Sequence, residues 1–272
     1  MKSIALQPSI VYGPVRSRRL GWSLGLNSSP IDYKLCSFNC IYCQYGWTPV
    51  HSMHVVDRLT DFPAPDDFAK ELESRLCEHS GIQIENITFS GNGEPTLHPQ
   101  FGDLVDITRQ LRDRYCSKAS ITLLSNSSTV NIDTVQRALQ KLDYRIMKLD
   151  AGTPQVFGRI NRPCSGVDYE TIVDNLKSLS NVTIQTMFVD GTMQNVGKDE
   201  VNEWCDKIGK IEPLKVQIYS LHRPPAASKL REVSEDRLKE IAIQTEEATG
   251  VTVEVIIAQN PYSKRYNEPY HK

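Results

Sequence analysis

No apolar run in this 272-residue chain approaches the ~20 residues that a membrane-spanning helix needs. The segment from Met1 to Ile10 lacks the long apolar stretch and small-residue cleavage site of a secretory signal. Both absences predict a cytoplasmic protein with no membrane partner. There is no internal repeat and no low-complexity tract, so nothing predicts a repeat array. A surplus of either charge is also missing: 31 Lys and Arg stand against 33 Asp and Glu, a formal net charge of −2. Bulk attraction to nucleic acid is therefore not expected, and only a local basic patch stays open. The chain also lacks the even, spread set of cysteines that marks a secreted disulfide scaffold. It has seven, and three crowd together as Cys36, Cys40 and Cys43. Cys77, Cys116, Cys164 and Cys205 are scattered and read as core or loop thiols.

What is present is a chain able to bury a core, with 39% hydrophobic and 24% charged residues. Short β-type runs are expected at Ser23–Leu26, Asn86–Ser90, Ser120–Ser125, Tyr144–Leu149, Val182–Phe188, Lys215–Ser220 and Thr252–Ile257. Between them, apolar residues recur three and four apart, as in Phe68, Leu72 and Leu76 or Val201, Trp204 and Ile208. Ser234 looks like a helix start and Gly250 like its stop. Six β-then-α units in a row predict a parallel sheet with crossover helices. Its strands should be buried on both faces, and Ile87–Phe89 and Ile121–Leu124 read that way. Chemistry is expected at the C-terminal strand ends.

Cys36, Cys40 and Cys43, spaced by three and then two residues, follow the first expected strand. So short a loop can curl until its sulfurs converge. Three thiolates on a four-iron cluster leave one iron open for a substrate or cofactor. A zinc site completed by His51 or His54 is the alternative reading of this stretch. The second strand runs into Gly91-Asn92-Gly93-Glu94-Pro95. Glycines let backbone approach a ligand closely, and Glu94 can accept a hydrogen bond from an ammonium group. Alone, the loop reads equally well as a tight turn.

Together, one β–α unit apart, the two motifs resemble those of the radical S-adenosylmethionine (radical SAM) superfamily. The resemblance implies an α/β fold, a partial parallel (β/α)6 barrel with short N-terminal and C-terminal extensions. The expected parts are an extension over 1–22, a core over 23–225, and a helix, strand and tail over 226–272. It implies a [4Fe–4S] cluster on Cys36, Cys40 and Cys43, with S-adenosyl-L-methionine on the open iron. Tyr42 would lie beside the adenine, and Gly91, Gly93 and Glu94 at the methionine amine. It also implies reductive cleavage to a 5′-deoxyadenosyl radical that abstracts hydrogen, fed by a one-electron reductant such as flavodoxin or ferredoxin. Asn126, Lys148, Asp150 and Gln185 fall at later strand ends. In the family, such residues bind the ribose and methionine parts. Read by themselves, they are equally strand-end caps or ion pairs.

The stretch from Tyr12 to Gly21 and the later Phe157-x-x-Ile160-Asn161-Arg162-Pro163 resemble a subgroup of short proteins related to the wyosine-forming tRNA enzyme. That subgroup suggests an RNA base as substrate and tRNA as partner. No cysteine precedes Cys36, so the second cluster of archaeal relatives is not expected. Arg16, Arg18, Arg19 and Arg162 could clamp a phosphate, a carboxylate or a tRNA backbone, or lie in solvated loops. The tail from Asn260 to Lys272 interleaves tyrosines with basic residues, as nucleic-acid binders and frayed termini both do. Two further readings stand beside RNA modification: radical modification of a protein, peptide or small metabolite, and a non-catalytic zinc or iron–sulfur module.

Overall fold

The computed structural model describes residues 3–17, 20–79, 81 and 83–257. Arg18, Arg19 and the tail from Asn260 to Lys272 lie outside the described residues. Eight strands form one sheet: β1 (Val11–Ser17), β2 (Gly21–Asn27), β3 (Asn86–Ser90), β4 (Ser120–Ser125), β5 (Tyr144–Lys148), β6 (Val182–Met187), β7 (Lys215–Tyr219) and β8 (Val253–Ile256). They lie side by side in chain order. β1 pairs antiparallel with β2, and every later pairing is parallel. The six expected parallel strands are β2 to β7, and the seventh expected run adds β8 beside β7.

Helices fill the crossovers: α1 (Pro65–Glu78), α2 (Phe101–Tyr115), α3 (Asp133–Leu139), α4 (Pro154–Ile160), α5 (Tyr169–Ser178), α6 (Lys198–Ile211) and α7 (Glu235–Thr249). Right-handed crossovers that always step to the next strand put every helix on one face, so the sheet curls into a partial barrel. The Ser234 hydroxyl caps α7 by accepting from the Arg237 N–H, and Gly250 ends it at φ +70°. α4 was not expected. Its seven residues are too few to show a period, but Pro154 and the capping Thr153 start it. None of the helices among the described residues is long and apolar enough to cross a membrane.

Both sheet faces are buried, as expected, but they differ in polarity, which the sequence reading did not foresee. The outer residues of β3 pack on the helices: Phe89 stacks on Phe68 at 6.2 Å and meets Phe101 edge-on at 5.3 Å. Burying one such ring contributes about 1.5–3 kcal/mol. The inner residues alternate with these and are polar. Ser23 and Thr88 share a hydrogen bond of 2.8 Å, and Thr88 donates to Asn86. Further round, Tyr219 donates to Gln185, Gln185 to Gln217, and Gln217 to Glu254. The lumen is thus filled by polar side chains that satisfy one another rather than by a hydrophobic plug. A cavity of about 310 Å³ opens at the N-terminal strand ends, among Asn86, Ser120, Thr183 and Gln217.

Candidate cofactor site

The cysteine loop springs from the end of β2 and is fixed on three sides. First, Leu35 and Cys36 pair in parallel with Val50 and His51, and Leu35 also bridges Gly93. Gly93 lies so close that a Cβ there would sit 1.7 Å from the Leu35 carbonyl oxygen. No other residue fits, which explains this glycine in steric terms. Gly91 adopts φ +128° against the Asn27 side chain, again a glycine conformation. Asn92, between them, is fully buried and ties the loop to Gln7 and Pro30 through its side-chain amide.

On the second side, the segment after α4 runs antiparallel to the cysteine loop. Asn39 donates its N–H to the Asn161 carbonyl at 3.0 Å, Ile41 to Ile160 at 3.0 Å, and Cys164 to Ser37 at 2.9 Å. Phe38 packs edge-on against Phe157 at 5.3 Å. This explains the Phe157–Pro163 motif: it is the rail along which the cysteines are laid. On the third side, the end of β4 contributes Asn126, which donates from Nδ2 to Ser37 Oγ at 2.8 Å and to Cys36 Sγ at 3.5 Å.

Glu94 is buried, with its carboxylate facing four donors. Thr96 N, Thr96 Oγ1 and Ser125 Oγ reach Oε1, and Asn126 N reaches Oε2 at 2.6 Å. Burial lifts its pKa above the ordinary value, and those hydrogen bonds oppose the lift. It thereby joins β3, β4 and the cysteine loop.

Asp150 is the second buried carboxylate. Oδ1 pairs with Lys148 Nζ at 2.8 Å and accepts from the Met187 N–H at 2.8 Å. Oδ2 accepts from the Tyr42 hydroxyl and from Asn161 Nδ2, the latter at 2.7 Å. Lys148 sits between the Tyr42 and Tyr219 rings, 5.1 and 5.0 Å from their centroids, and donates to Tyr219. Burial works against its charge, but Asp150 and Tyr219 outweigh it and hold the ammonium above the ordinary lysine pKa. Gln185 joins this group through Tyr219.

Asn161 is the residue that sequence reasoning missed. Its Nδ2 lies 2.7 Å from Asp150, 3.3 Å from Tyr42 and 3.5 Å from Cys40 Sγ. Its Oδ1 is buried without a hydrogen-bond partner. Only its place inside the Phe157–Pro163 motif could have signalled it.

Three thiols in one loop are chemically suited to an iron–sulfur cluster, but among the described residues no three His, Cys, Asp or Glu side chains are already gathered closely enough to hold a metal ion. Burial pushes the Cys40 thiol up to about 11 and that of Cys36 higher still, so both are neutral until a metal displaces their protons. Yet Phe38 N and Asn126 Nδ2 point at Cys36 Sγ, and Asn161 Nδ2 at Cys40 Sγ. Such N–H groups suit thiolate sulfur. For the zinc alternative, His51 turns Nε2 to the Ser37 carbonyl and His54 is exposed.

The arginines are spread out. Arg162, at φ +48°, is exposed beside the cysteine loop with its guanidinium 5.2 Å from the Trp47 ring. Arg16 pairs with Trp22 at the start of β2. That is the opposite rim from the cysteines, roughly 20 Å away at ~3.3 Å per strand residue.

Comparison with known proteins gives the same picture. A family model described as the radical SAM superfamily matches residues 31–208. A UPF0026 protein of Synechocystis sp. is 31% identical over 221 residues, covering 79% of this chain and 76% of that protein. A protein named GTPase Obg from Brachyspira hyodysenteriae is 27% identical over 92% of this chain, which spans 35% of its length. A radical SAM methyltransferase from Sphaerobacter thermophilus shares the fold at a TM-score of 0.65 and 16% identity, over 88% of this chain and 67% of that one. TYW1 with a lysine–pyruvate adduct bound does so at 0.56 and 16%, over 83% and 73%.

Proposed function

Since the chain belongs to the radical SAM superfamily, whose enzymes use a [4Fe–4S] cluster and S-adenosylmethionine, we propose that Cys36, Cys40 and Cys43 hold the cluster here. The observation that carries this is the convergence of three separately anchored elements on one rim: the cysteine loop, the Gly93–Glu94 turn and the Asp150 junction. When bound, the cluster supplies the single electron that cleaves S-adenosylmethionine to a 5′-deoxyadenosyl radical. The protein's part is to bind and orient. Gly91 and Gly93 bring backbone to the methionine end, and Glu94, its carboxylate tied to Thr96, Ser125 and Asn126, fixes that turn against β4. Tyr42 and Asn126 present a ring edge and an amide to the nucleoside, and Asp150, its oxygens already paired, holds Tyr42 and Asn161 in that wall. Lys148 and Gln185 keep that wall in place from β5 and β6.

The substrate we propose is an RNA base. Two observations favour it: the fold likeness to TYW1, and the exposed Trp47–Arg162 pair at the lip of the site. An aromatic ring backed by a guanidinium offers a stacking face and a phosphate partner together. Lys148 is paired with Asp150 at 2.8 Å, which favours its ammonium form and a role in holding the wall rather than as a nucleophile. A flavodoxin- or ferredoxin-type donor would deliver the electron.

The test is anaerobic 5′-deoxyadenosine formation by reconstituted protein with dithionite. Wild type should turn over, and Cys40→Ala should show a loss of at least a hundredfold. Added bulk tRNA should stimulate product several-fold, and Trp47→Ala should remove that stimulation while leaving the uncoupled rate. Turnover that ignores RNA would move the substrate to a peptide or metabolite. No product from a fully loaded protein would end the catalytic assignment.

A further inference from the structure

Lys34 is 4% exposed. Its ammonium donates to the Gly46 carbonyl at 3.0 Å, and among the described residues no Asp or Glu forms an ion pair with it. Gly46 closes the turn that follows Cys43, donating its own N–H to the Cys43 carbonyl at 3.1 Å. The ammonium therefore lies against the turn that closes the cysteine loop, two residues before Cys36 in the chain. The Glu94 carboxylate, in the turn beside that loop, is occupied by Thr96, Ser125 and Asn126.

An ammonium taken from water needs a compensating negative charge, and one carbonyl oxygen is a poor substitute. The fold keeps a lysine here, and the missing charge has an evident source. A four-iron cluster on three thiolates is anionic, and more so after it accepts an electron. The inference rests on the cysteine assignment proposed above. We infer that Lys34 is the buried counter-charge of the cluster, a positioning residue that raises its reduction potential and stabilises the reduced state. The electron comes from the flavodoxin- or ferredoxin-class donor. No bond or proton moves at Lys34.

The experiment compares wild type, Lys34→Gln and Lys34→Arg after anaerobic reconstitution. Gln keeps an N–H donor for the Gly46 carbonyl but has no charge; Arg keeps the charge. Iron and sulfide content, the EPR-monitored midpoint potential, and thermal midpoints with and without metal are read for each. Lys34→Gln should lower the reduced-to-oxidised ratio about tenfold at fixed donor potential, which is 59 mV for a one-electron couple. Lys34→Arg should stay near wild type. Metal-free Lys34→Gln should be at least as stable as metal-free wild type, because it loses an uncompensated charge. A folded Gln variant that takes up iron but fails to retain it would support the same role. A fully loaded Gln variant with an unchanged potential would overturn it. So would equal destabilisation with and without metal, which would make Lys34 a plain tie to Gly46. Wild type that binds no iron would sink the cysteine assignment itself, whereas a loaded wild type with an indifferent Gln variant sinks only Lys34.

Discussion

Asn161 shows how much can depend on one amide. It donates toward a carboxylate, a phenol and a thiol sulfur at once. Asn161→Ala would leave Asp150 Oδ2 with Tyr42 alone and remove an N–H from Cys40. A hydrogen bond to a charged group contributes about 1.5–3 kcal/mol, so metal-free Asn161→Ala should lose about 2 kcal/mol in urea denaturation and retain less iron. A loss below about 0.5 kcal/mol would show the junction to be redundant. The cysteines and the Gly–Glu loop were legible in sequence because each is local: a few residues at fixed spacing carry the whole signal. Asn161 was not, since its thiol partner lies 121 positions away. Lys148 and Asp150 were legible as strand-end polar residues that bind ligand or pair as ions. The structure pairs them with each other.

At the scale of elements, His98 links two helices. Its Nε2 meets the Pro63 carbonyl at 2.9 Å ahead of α1, and its Nδ1 accepts from the Gln100 N–H at 3.0 Å ahead of α2. The ring is therefore the neutral tautomer with the proton on Nε2. Burial lowers its pKa below the ordinary 6.5. A histidine with a lowered folded-state pKa takes up its proton more readily when unfolded, so stability falls as pH drops below 6.5 toward the folded value. Wild-type thermal midpoints should decline over that interval, and His98→Gln should flatten this part of the profile. Parallel curves for the two proteins would remove His98 from the account. Most elements were legible because strands show as short β-type runs and long helices repeat. β1 was not: Gly13 and Pro14 interrupt it, and its pairing with β2 shifts register between Tyr12 and Val15. It read as an extension because a proline-broken edge strand carries little pattern of its own.

Across the whole molecule, the sheet continues through β8, and α7 closes over it. Leu238, Ile241, Ala242 and Val253 are buried there, and Thr245 contacts Cys205 of α6. The Ala227 N–H also donates to the Ile41 carbonyl inside the cysteine loop. A chain ended after Leu221 would expose β7 as a new edge and uncover the face of α6. It should be recovered mainly as insoluble protein, or lack a cooperative transition by circular dichroism. A soluble, cooperatively folding truncation would show that the last helix and strand are accessory. The sequence made the number and direction of parallel strands legible through the order of units. It did not disclose the polar lumen, because a run such as Ile121 to Leu124 shows composition without showing which side chain faces the hollow.

The backbone rail along the cysteine loop also sets an order of events. Residues 37–41 take their shape from 160–164, so a nascent chain that has displayed all three cysteines still lacks the template that arranges them. More than a hundred further residues must be synthesised, and three more parallel strands (β3 to β5) laid down, before those contacts can form. Metal delivered earlier would meet a slack, exposed trio of thiols open to oxidation or to the wrong ion. On the cysteine assignment proposed above, insertion is a late step, after folding has made the mould.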